Sequence, residues 1–123
     1  MQITIKMPDA LRGVFQSIWN VGVGTLLDQT IGAANCTTEK DLLQREVVQI
    51  SVAVREQGYA ELTITHAQKD IFFKCLSAGY NVWLNDGNPE HHRACLMVSD
   101  EIEMCGRLMA RCSEVAYATW SKY

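Results

Sequence analysis

Apolar and polar residues alternate from Gln2 to Met7, with Ile3 and Ile5 on one side and Gln2, Thr4 and Lys6 on the other. That period of two predicts a short strand. Pro8 suits the first turn of a helix, where its missing N–H costs nothing, and Asp9 favours the positive end of the helix dipole. Leu11, Val14, Phe15, Ile18 and Trp19 then recur at i, i+3, i+4, i+7 and i+8, one face of an amphipathic helix. Gly22 and Gly24 interrupt it, so a kink, a break or a close backbone approach is expected there. Helix resumes through Leu26, Leu27 and Ile31 up to Gly32.

Thr38 followed by Asp41 has the spacing of a helix N-terminus. Leu43, Val47, Ile50 and Val54 continue with helical period to Gly58, a good residue just past a helix end. The same stretch supports a second reading. Val48, Ile50, Val52 and Val54 alternate with Gln49, Ser51 and Ala53, and β-branched residues fit strands. A hairpin of 47–55 with 60–65 is therefore the α+β alternative, although length and the cap favour a helix.

Residues 61–65 form another alternating lead-in, and Thr65 with Gln68 has capping-box spacing. Ile71, Phe72, Cys75 and Leu76 make the next helical stripe, which Gly79 is expected to interrupt or end. The run Asn85-Asp86-Gly87-Asn88-Pro89 reads as a turn. Pro89 opens the last helix, drawn to Tyr117. Its stripe is Cys95, Val98, Ile102, Cys105, Met109, Cys112 and Ala116, with Met97, Met104 and Leu108 beside it. So wide an apolar arc predicts a helix packed on two sides, either central or shared with a second copy.

These elements give a mainly α single domain over 1–123, with four or five helices and one or two short strands at 2–6 and 61–65. Each strand leads into a helix, a break and a second helix. The halves 1–59 and 60–123 could be a degenerate duplication, which would let the two strands pair near a pseudo-two-fold axis, but only a handful of positions match and chance resemblance accounts for them equally well.

Charge narrows the function. Of 123 residues, 11 are Lys or Arg and 14 Asp or Glu, a formal net charge of −3. Basic residues are mixed with acids along the chain, so nucleic acid is an unlikely partner. Arg93, Arg107 and Arg111 could still gather into a small positive spot, and a weak nucleic-acid binder is the second alternative. No apolar run approaches membrane-spanning length, no basic amphipathic face suggests a membrane surface, and the N-terminal residues do not read as a secretion signal. Five cysteines, an odd number without a CxxC pair, fit reduced thiols. A cytoplasmic location is expected.

Chemistry-bearing motifs are sparse. His91 and Cys95 are four residues apart and His92 and Cys95 three, so either pair could face one metal ion on a helix. A small metal- or ligand-binding domain using His91, His92 and Cys95 is the first alternative, although solvated histidines beside a core cysteine account for the same spacing. Val21-Gly22-Val23-Gly24-Thr25 lacks the spacing of a phosphate-binding loop. Asp100, Glu101 and Glu103 read as a solvated helix face. No nucleophile can be tied to a base and an orienting carboxylate, so neither enzyme activity nor a cofactor is expected.

Aromatic residues sit where elements end: Tyr80, Trp83, Tyr117, Trp120 and Tyr123. Such rings combine contact area with a polar handle and are enriched in interfaces. The leading reading is a non-enzymatic protein-interaction module, oligomeric through its last helix and binding an unidentified protein. Its interface is drawn at Tyr80, Trp83, Met97, Met104, Arg107, Arg111 and Trp120. A short, single-domain, motif-poor chain with this strand lead-in is similar to the accessory proteins of phages and mobile elements. That likeness implies binding to, or inhibition of, a host or defence protein.

Overall fold

A computed structural model describes residues 2–31 and 38–110. Their order is β1 (Gln2–Lys6), α1 (Asp9–Ile31), α2 (Thr38–Gln57), β2 (Glu61–Thr65), a 3-10 turn (His66–Gln68), α3 (Lys69–Leu84) and α4 (Pro89–Ala110). The fold is mainly α, with the two expected strands paired antiparallel.

Register follows from the alternation in both strands. Ile3 faces Ile64 and Ile5 faces Leu62, and all four are buried. Thr4 opposite Thr63 and Lys6 opposite Glu61 lie on the other face. A two-stranded sheet is marginal alone; here α4 packs on β1 and α2 on β2. Gln57, the last residue of α2, also protects the sheet edge. Its amide accepts from the Thr63 N–H at 2.8 Å and donates to the Thr63 carbonyl at 3.1 Å, as a neighbouring strand would. The edge is thus blocked against further pairing. Gly58 follows with φ +83, a left-handed turn that favours glycine.

The 47–55 hairpin alternative is overturned: α2 runs unbroken through that stretch. Val47, Ile50 and Val54 are buried while Val48 and Val52 are exposed, so the period of 3.6 prevails over the period of two. Tertiary packing selects the set that reaches the core, and the intervening valines face out.

The centre of the molecule is the crossing of α1 over α3. Phe15, Ile18, Trp19, Phe72, Cys75 and Leu76 are buried there, with the Trp19 and Phe72 rings stacked at 5.2 Å. Neither Gly22 nor Gly24 breaks α1, and Gly79 does not end α3, which continues to Leu84. The glycines do different work. A Cβ on Gly22 would lie 1.8 Å from the Cys75 carbonyl oxygen, and one on Gly79 would lie 2.2 Å from the Ile18 carbonyl oxygen. Each helix presses a glycine against the other's backbone, four residues beyond the carbonyl that its partner glycine touches. Of the three outcomes expected at Gly22, close approach is the one found.

Thr65 caps the following turn as its spacing foretold. Its hydroxyl accepts from the Gln68 N–H at 3.3 Å, and the Gln68 side chain accepts from the Thr65 N–H at 3.0 Å.

Candidate interaction surface

Two neighbouring regions carry the residues singled out from sequence: the α3–α4 corner and the outer face of α4. The corner is built on Asn88, whose side chain accepts from the Glu90 N–H at 3.0 Å while its carbonyl accepts from the His92 N–H at 3.2 Å. Asp86 accepts from the Asn88 N–H at 2.8 Å and holds His91 Nδ1 in a close hydrogen-bonded pair. The His91 hydrogen bond, and then that of Asn88, lower the Asp86 carboxyl below its ordinary range, because both favour the charged form. The other side of the His91 ring stacks on Trp83, with centroids 4.0 Å apart and planes 24° from parallel.

The three residues that helical spacing had grouped have different surroundings here. His91 is held between a carboxylate and an indole. Cys95 is buried, and burial together with the Asp86 charge raises its thiol, which disfavours the thiolate that metal binding uses. The His92 Nε2 is enclosed, as is the Tyr80 hydroxyl, and neither has a hydrogen-bond partner among the described residues. Burial pushes the Tyr80 phenol up. Among the described residues no three His, Cys, Asp or Glu side chains gather where a metal ion could sit. Tyr80 and Trp83 are half-buried and rest against the core.

The outer face of α4 differs from the corner. Cys95, Val98 and Ile102 turn into the core at 3%, 0% and 4% exposure, and α4 packs against β1, α1 and α3 through that side. Leu96, Met97 and Met104 stay at 64%, 46% and 56% exposure. Among the described residues α4 is thus packed on one side, against β1, α1 and α3. The arc is wide because two apolar stripes share the helix, and the core uses one of them. Arg93 and Asp100 are exposed beside Leu96 and Met97. Arg107 lies on α4 with its side chain outside the described residues, as do Arg111 and Trp120 altogether.

Two other surfaces compare with it. On α2, Leu42, Val48 and Val52 are exposed; Val48 and Val52 share a face at i and i+4, with Leu42 about 80° around the helix from Val52 and about 120° from Val48. Between the end of α1 and the outer face of α3 runs an open groove of about 830 Å³, with Leu26, Phe73 and Val82 among polar neighbours that include Asp70 and Lys74. Sequence reasoning missed this groove. Its only trace was that Phe73 and Val82 stand off the core stripe of α3.

The chain matches no family model, no curated protein and no solved structure. No helix among the described residues is long and apolar enough to cross a membrane.

Proposed function

We propose that this chain is a non-enzymatic interaction module whose working surface is the outer face of α4, continued onto the α3–α4 corner by Trp83. One observation carries the reading: Leu96, Met97 and Met104 remain 64%, 46% and 56% exposed on a helix that already supplies a complete second stripe to the core. Isolated exposed apolar residues are ordinary on protein surfaces, but grouped ones mark contact sites. Methionine suits such a surface, since its unbranched, polarizable side chain adapts to a partner's contours. An accessory role, in which the chain occludes or recruits the protein it holds, is the mode of action this surface supports.

The test compares the wild-type chain with Met97→Glu/Met104→Glu as bait in an extract of the source cells, after circular dichroism has shown equal helicity. A protein held by the wild type and lost from the double variant is the expected result. An identical retained set for both baits would overturn the assignment of the surface.

A further inference from the structure

Four exposed residues of α4, Arg93, Leu96, Met97 and Asp100, share one face at i, i+3, i+4 and i+7, a patch about two turns long. Charge reverses across it: a cation precedes the Leu96–Met97 pair by three residues and an anion follows it by three. We infer that this face docks on the same face of a second copy, the two α4 helices running antiparallel about a two-fold axis between Leu96 and Met97. The inference rests on the proposed interaction surface and names its occupant.

Charge complementarity selects that partner. A two-fold axis at the midpoint places residue i opposite residue 193 − i of the other copy. Leu96 then meets Met97, and Arg93 meets Asp100, twice over by symmetry. At about 100° per residue Leu96 lies about 60° to one side of Arg93 and Met97 about 40° to the other, while Asp100 lies only about 20° from Arg93, so both charges sit on the midline of the patch, one before and one after the apolar pair. The two-fold of an antiparallel pairing lays midline on midline, so the opposite charges face each other directly. A parallel pairing would set Arg93 against Arg93 and Asp100 against Asp100. The next acidic pair outward, Glu90 and Glu103, lies about 140° apart around the helix and does not come together. Among the described residues neither Arg93 nor Asp100 joins an ion pair within its own chain.

So short a patch buries less than a standard interface. The dimer is therefore expected to be weak, forming in the micromolar range and dissociating as salt rises. Sedimentation equilibrium on the full chain tests it through charge reversal. Arg93→Asp alone and Asp100→Arg alone each replace two attractions by two repulsions, and each should weaken dimerization by about tenfold. Arg93→Asp/Asp100→Arg restores the opposition and should return the dissociation constant to within about threefold of the wild type. These sites are exposed, and equal thermal unfolding of all four proteins checks that the fold is unchanged. A wild type that stays monomeric at every concentration, or a double variant as weak as the singles, would overturn the inference. A monomeric wild type that still holds a foreign protein, lost on Met97→Glu/Met104→Glu, would remove the second copy and leave the surface assignment intact.

Discussion

Where α1 crosses α3, the two helices meet closely at Gly22 and Gly79, and one added carbon on either glycine would enter the other helix's backbone. On the outer face of α4, Leu96, Met97 and Met104 extend large side chains into solvent. Both regions are apolar in sequence, yet the fold depends on them in opposite ways. The crossing fixes how closely α1 and α3 approach each other. Among the described residues the α4 face adds little to the packing, and the proposed function gives its apolar residues a contact outside it. Residues that stability does not require are where function can be sought.

The sharpest way to break this contrast is to fill the crossing. Gly22→Ala and Gly79→Ala should each lose about 3 kcal/mol or more, because backbone cannot yield as a flexible side-chain end can. Gly24→Ala is the control. Nothing lies within 4 Å of its Cβ position, and alanine in a helix interior should gain about 0.5–1 kcal/mol. Urea unfolding reads all three. Equal effects at Gly22 and Gly24 would mean that α1 and α3 do not cross here.

A smaller effect separates the two stripes of α4. Ile102→Ala removes a buried side chain and should cost about 2–5 kcal/mol. Met104→Ala, two residues on, should change stability by less than about 0.5 kcal/mol in dilute solution. A comparable loss at both would show that the Met104 side is covered within the monomer, and the case for an interaction surface there would fail.

How much of this was legible beforehand depends on the range of the interaction. The strands, the stripe Leu11–Trp19 and the Thr65–Gln68 capping box are local, set by residues within a turn or two, and each was readable. The 47–55 stretch was ambiguous because its valines satisfy two periods at once, and contacts with α1, α3 and β2 decide between them. The pairing of Gly22 with Gly79 spans 57 positions; either glycine alone reads as a kink or a stop, and only the reciprocity identifies a crossing. Gln57 as a substitute strand was invisible for the same reason. At the candidate surface, the breadth of apolar positions on α4 was plain. Which side would be left outside was not, since that follows from where β1, α1 and α3 stand. The pairing of His91 with Asp86 and Trp83 depends on how the corner turns, which spacing along one helix does not give.

The smallest effect concerns the corner, which joins the two regions. Asp86 titrates below its ordinary range because His91 and Asn88 hydrogen-bond its carboxylate. The folded protein therefore binds that proton less tightly than the unfolded chain, whose carboxyl titrates near ~4. The resulting contribution to stability is complete above that value and falls away as pH drops through the lower folded-state value. Asp86→Asn should abolish this component. The thermal midpoint of the variant should lie slightly below that of the wild type at pH 7, and the two should converge under acid conditions as the wild-type carboxylate takes up its proton. Asp86 is exposed, so water screens the interaction and the shift should be small. A gap between the two midpoints that stays constant as the pH is lowered would mean that the corner is held by the Trp83–His91 stack and the Asn88 cap alone. Charge on Asp86 would then do nothing to fix the angle at which α4, with its exposed face, leaves α3.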